Sequence, residues 1–189
     1  MPLDRIMQTR LNALVAKYLY RQKLRVVRGF EMAVTGATVL VPILFIAAQW
    51  VAKGTPAQST MDLIAFIGSA ILICLAVLSL ILGINKKLEL YSNGLAENIS
   101  IAEEVLSMNA GSTPQQDLDW FYRYVANRDT KDNDLLASVK KETRQSAYRN
   151  GLKELTPSAV TNCPVCGASP WKYKKGDCDA CGNSNKENA

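Results

Sequence analysis

At 189 residues, with a formal charge of +5 and no histidine, the chain has room for one small core and lacks the commonest general base. A mean hydropathy of −0.01 conceals two long apolar runs averaged against strongly polar segments. These limits exclude a large soluble enzyme and leave a small membrane-associated or binding protein.

Residues 3–28 carry apolar side chains at helical spacing: Leu3, Met7, Leu11, Leu14 and Tyr18, with Ile6, Val15 and Leu19 beside them. Seven cations (Arg5, Arg10, Lys17, Arg21, Lys23, Arg25, Arg28) face one acid, Asp4. Segment 1–29 is therefore expected to be a basic amphipathic helix lying on anionic headgroups at the cytoplasmic side. Met32–Ala52 is the first apolar run, and Leu63–Ile84 the second, 22 residues without a charge. A helix of that length extends about 33 Å, enough to cross a bilayer core. A signal peptide would have a short basic leader and an apolar core of about 7–15 residues. A buried helix of a soluble domain would need more surrounding protein than this chain supplies. Segment 30–84 thus reads as a transmembrane hairpin with spans 32–52 and 63–84. Lys86, Lys87 and the N-terminal cations outweigh Lys53, which is set against Asp62, so both termini should be cytoplasmic.

The spans differ in character. Glu31, Thr35, Thr38, Pro42 and Gln49 fall within about 60° on the first helix, a polar or backbone-freeing stripe. Ala65, Gly68, Ser69, Ala76, Ser79 and Gly83 form a small-residue face on the second, suited to close helix packing. Either the small face packs on the first span and the hydroxyls satisfy their own backbone, or several hairpins assemble and the Glu31 stripe lines a water path.

Segment 85–156 reads as a cytoplasmic helical region. Leu88, Tyr91, Leu95, Ile99, Ala102, Val105 and Leu106 keep helical spacing up to Asn109-Ala110-Gly111, where Gly111 is the expected C-cap. Thr113 as N-cap, Pro114 and Gln116 then open a helix bearing Leu118, Phe121, Tyr122 and Val125. A further helix is expected from near Asp132 to about Leu155, stopped at Thr156-Pro157. Ten basic and eleven acidic side chains in 85–155 leave no charge signature of a partner. No phosphate loop or nucleophile motif is visible, so no enzyme is expected.

The tail, 157–189, reads Cys163-Pro-Val-Cys166-Gly167 and then, with eleven residues between Cys166 and Cys178, Cys178-Asp-Ala-Cys181-Gly182. Two such turns supply four thiolates at the spacing that tetrahedral zinc requires, with no coordination position left for water. Two disulfides and a rubredoxin-like iron site are the alternatives; a cytoplasmic, reducing location opposes the first, and no redox partner is evident for the second. Cys74, alone in an apolar helix, reads as a small hydrophobe. Between the turns, Trp171, Lys172, Tyr173, Lys174 and Lys175 interleave aromatics with cations. That pattern suits nucleic acid, a headgroup-facing loop or a protein contact, and Trp171 could simply cover the cysteine turns.

The expected fold class is an all-α membrane protein: a two-helix transmembrane hairpin, flanking cytoplasmic helices and a four-cysteine zinc ribbon. That layout resembles the SLATT family of two-transmembrane effectors. The tail motif is similar to that of a mobile-element-associated group with a SLATT-like membrane part, matched at Cys163, Cys166, Cys178 and Cys181. The resemblance implies a role in prokaryotic conflict systems: partners that signal through or sense nucleotides, and pores that disrupt the inner membrane. Expected partners are the lipid bilayer, further copies of the chain, a nucleotide-signalling or other defence protein, and nucleic acid. The alternative is a membrane-tethered zinc-ribbon scaffold without pore activity.

Overall fold

A computed structural model describes residues 4–56, 58–108, 115–156 and 161–184. Within them run five helices: α1 (Arg5–Ala52), α2 (Gln58–Ile81), α3 (Ile84–Ser107), α4 (Gln115–Leu136) and α5 (Lys141–Glu154). Pairing between extended segments among the described residues is confined to one bridge, Lys175 with Asn183. The chain is all-helical. Leu3, the Asn109–Gly111 helix end, the Thr113–Pro114 helix start and Pro157 lie outside the described residues.

Contacts group the chain into two compact units, Met1–Lys23 with Tyr91–Ala189, and Leu24–Leu90. This grouping follows packing rather than order along the chain, so it joins the N-terminal helix, the later helices and the cysteine tail. In the Leu24–Leu90 unit, α1 runs unbroken through Pro42. The Thr38 hydroxyl, four residues before that proline, donates to the Thr35 carbonyl at 2.9 Å. Gly68 of α2 leaves room for Phe45: a Cβ there would stand 2.5 Å from the ring. At the loop end the Gln49 amide donates to Asp62 at 3.3 Å. Just past the end of α2, Gly83, with φ of 59°, turns the chain before α3 begins. Both α1 and α2 contain stretches long and apolar enough to cross a membrane, and none of either apolar window is buried.

The other unit is built around the first five turns of α1. Ile6, Leu11, Ala13 and Leu14 pack with Ile101, Ala102 and Val105 of α3, Phe121 and Val125 of α4, and Leu152 of α5. Ala16, Leu19 and Tyr20 continue that core against Leu136 and Ala147. The apolar face expected on headgroups is covered by protein here, while Arg21, Arg25 and Arg28 stay exposed. Other cations of the helix are engaged internally: Arg10, 5% exposed, donates to the Ala102 carbonyl and caps the end of α5 at the Leu155 carbonyl. Lys17 and Tyr18 hold Glu154, and Lys23 donates to the Leu135 carbonyl at 2.6 Å.

A correction concerns Asp132, which does not start a helix. It lies inside α4 because its carboxylate pairs with Arg128 one turn earlier, at 2.6 Å, and accepts from Tyr20 and Asn98 at 2.7 and 2.8 Å. The break falls after Leu136, where the Arg144 guanidinium donates to the Leu136 and Ala137 carbonyls. Arg128 also reaches Tyr20 and Glu97, so one buried polar clamp joins α1, α3 and α4. Gly94 makes room for it: a Cβ there would lie 2.6 Å from both the Arg128 guanidinium and the Tyr20 ring.

Candidate metal centre

The two cysteine turns have the same backbone construction. Gly167 N–H donates to the Cys163 carbonyl and Gly182 N–H to the Cys178 carbonyl, both at 2.8 Å. Each first cysteine then donates across its turn, Cys163 to Ala168 and Cys178 to Asn183. Both glycines have φ of 69°, a conformation that a side chain at either position would oppose. The sequence folds this way because CxxCG closes a tight turn whose two sulfurs point the same way.

All four sulfurs lie within 4.8 Å of one another, with Cys163 to Cys178 at 4.0 Å and Cys166 to Cys181 at 3.4 Å. A tetrahedral thiolate site with bonds of about 2.3 Å has edges of about 3.8 Å. The donor set therefore fits one metal ion. All four are free thiols, well beyond the bond length of about 2.05 Å that a disulfide needs. Burial pushes the Cys163 and Cys181 thiols up. Against the same burial penalty, the amides of Cys181 and Ala180 and the neighbouring thiols bring Cys178 down to about 7. Tyr148, packed beside the cluster, is pushed up to about 12 by burial and then by the sulfur charges.

The cysteines are part of the helical core. Cys163 and Cys181 are 2% and 1% exposed and cluster with Leu11, Leu152 and Leu155. α5 grips the second turn: Gln145 donates to the Cys178 carbonyl at 3.0 Å and Arg149 to the Cys181 carbonyl. Asn183, also buried, accepts from Lys174 N–H at 2.8 Å and donates to the Ser169 and Lys172 carbonyls. Sequence reading missed Asn183, Gln145 and Arg149. The one available signal was an amide-bearing residue directly after the second turn glycine.

The remaining candidate residues are distributed differently. Glu31 and Thr38 are half-buried, whereas Thr35, Pro42 and Gln49 are exposed along α1. Ala65, Gly68, Ala76, Ser79 and Gly83 are half-buried; Ser69 is exposed, with its hydroxyl on the Ala65 carbonyl. Trp171, Lys172, Tyr173, Lys174 and Lys175 are all exposed.

Fold and site together define an all-helical chain with two apolar candidate spans and a four-cysteine centre able to hold a metal ion. The family model of the mobilome CxxCx(11)CxxC protein matches residues 4–184, and the chain belongs to that family. No curated protein and no solved structure matches it.

Proposed function

We propose that the chain is a membrane effector of a prokaryotic conflict system. In this reading α2 and the apolar part of α1 cross the inner membrane as a hairpin with both termini cytoplasmic. Several copies assemble, and a signal received by the cytoplasmic unit opens a path for ions. The observation that carries it is that no residue of either apolar window is buried, with Leu40, Ile43, Leu44, Phe66, Ile71 and Leu80 exposed. Water cannot cover so much apolar surface cheaply; lipid or further copies can. The SLATT-like layout supplies the pore expectation, and exposed Thr35, Pro42 and Gln49 are available to line a path in an assembly.

Zinc is the ion we assign to the four thiolates: it takes tetrahedral sulfur sites and supplies a structural cross-link with no open position. Cys163 and Cys181 would then tie the tail to α1, α3, α4 and α5, and no bond-making chemistry is assigned to the protein. The Tyr20–Arg128–Asp132 clamp, with Asn98 and Glu97 of α3, holds α1 and α3, the two helices that run on into the apolar unit. Loosening it is our proposed route from signal to hairpin.

A scaffold role without a pore draws support from a different observation. The Thr38 hydroxyl is satisfied within its own helix and Gly68 accommodates Phe45, as in a hairpin that only anchors. Inducible expression in bacteria with a membrane-potential dye separates the two. The pore reading expects depolarisation when the native trigger is supplied, weakened in Thr35→Leu/Thr38→Leu. No depolarisation with the trigger present refutes it, and an unchanged double variant removes the polar stripe from the mechanism.

A further inference from the structure

The loop between the cysteine turns carries two aromatic rings that core packing does not use. Trp171 and Tyr173 are 62% and 54% exposed. The metal centre is packed by Tyr148, Leu152 and Leu155 instead, so Trp171 is not its cover. Each ring has a cation from α5 at its face: Arg149 lies 4.0 Å from the Tyr173 centroid and Lys153 5.1 Å from that of Trp171. Lys172, Lys174 and Lys175 are exposed and have no ion pair among the described residues. Of the nearby acids, Asp179 is neutralised by Lys141 at 2.6 Å, and Asp177 and Glu142, beside Tyr173 and Lys175, are outnumbered by the cations.

The backbone under the rings is fixed. Asn183 braces Ser169, Lys172 and Lys174, while Gly176 N–H and Ser184 N–H donate to the Gly182 and Lys174 carbonyls at 2.9 Å. The loop backbone that carries the rings is thus held in place before any ligand arrives, which lowers the entropy cost of binding.

We propose that Trp171–Lys175, with Arg149 and Lys153, forms a platform for single-stranded nucleic acid. Bases stack on exposed rings, and the cations beside each ring meet the phosphates. A lipid surface could anchor Trp171, but it fits less well, because lysines separate the two rings and residues 169–177 hold no apolar stretch to follow them into hydrocarbon. An acidic peptide would use the lysines and leave both rings idle. The platform is independent of whether the hairpin conducts.

The test uses the full chain in phosphatidylcholine nanodiscs with labelled 20-mers of deoxythymidine and of uridine. Anisotropy should show saturable binding, and the intrinsic tryptophan emission should be quenched. Five phosphate-contacting cations predict a log–log salt slope of about −3.5, a loss of about 100-fold between 50 and 200 mM salt. Lys172→Ala/Lys174→Ala/Lys175→Ala should flatten that slope to about −1.4. Trp171→Ala should weaken binding roughly 5- to 150-fold. Trp171→Phe should abolish the quench while keeping most of the affinity, with metal content and helicity unchanged in all variants. Whichever oligonucleotide binds more tightly identifies the strand type. Flat anisotropy with both oligonucleotides overturns the proposal. So does a quench that survives Trp171→Phe. Inorganic polyphosphate binding as tightly as the oligonucleotides would reduce the patch to a general anion surface and overturn it. Capture by phosphatidylserine vesicles with no oligonucleotide binding would assign the patch to membranes instead.

Discussion

Replacing Asp132 by alanine should destabilise the α1–α3–α4 core more than any surface change. The residue is 6% exposed, and its carboxylate satisfies Tyr20, Asn98 and Arg128 together. Without it, Arg128 keeps only Glu97, whose side chain is 39% exposed, as a charged partner, while Tyr20 and Asn98 lose an acceptor inside the core. Removing one member of a buried ion pair costs about 3–5 kcal/mol, a large share of a domain's roughly 5–15 kcal/mol. With an m-value of about 2 kcal/mol per molar urea, the midpoint should fall by about 2 M. The assay is urea unfolding of the full chain in mild detergent, followed by circular dichroism. Arg128→Met/Asp132→Leu removes both charges and should recover the part of the loss that lies in the stranded charge, though Tyr20 and Asn98 still lack their acceptor. A loss below about 1 kcal/mol for Asp132→Ala, or a double variant as weak as the sum of its singles, would refute this reading of the clamp.

Metal content should be about one ion per chain, following the donor set's fit to a single tetrahedral site. Strong chelation should unfold the unit containing the cysteines, read as lost helicity, because Cys163 and Cys181 sit within its core. A metal-free chain with that unit intact would contradict the assignment. Acid should expose Glu154. Burial raises its carboxyl, but Lys17 and Tyr18 more than reverse this, so it titrates below the ordinary glutamate value. A lowered folded value means the contribution is complete above about pH 4.5 and is lost as pH falls through the folded value. Partial exposure keeps it small. Urea midpoints from about pH 6 to pH 3 should therefore fall less steeply in Glu154→Gln than in the native chain.

Legibility followed how local the physics is. The cysteine pair spacing encodes turn and donor geometry within five residues each, so the cluster was readable before any fold was known. The apolar runs were readable for the same reason, since length and lack of charge are local facts. The core around α1 was not. Arg10, Asn98, Arg128 and Asp132 look like solvated residues in a charge count, yet each is buried with partners far along the chain. Helical spacing showed that the basic helix has an apolar face without showing what covers it. A helix start was expected near Asp132, whereas the residue lies inside α4 and bonds Tyr20 and Asn98 there. Arg149 and Lys153 gave no sign that they would stand against aromatic rings of the tail.

Membrane insertion of the hairpin underlies everything proposed for function, and one labelling measurement addresses it. Ser59→Cys in a Cys74→Ala background places a single reporter thiol in the loop side of α2, apart from the four clustered tail thiols. In right-side-out bacterial membrane vesicles, a membrane-impermeant maleimide should label that position without lysis, while the tail thiols stay protected until the vesicles are opened and the metal is stripped with chelator and denaturant. Labelling only after opening, or recovery of the chain in the soluble fraction, would contradict a two-span hairpin with both termini inside.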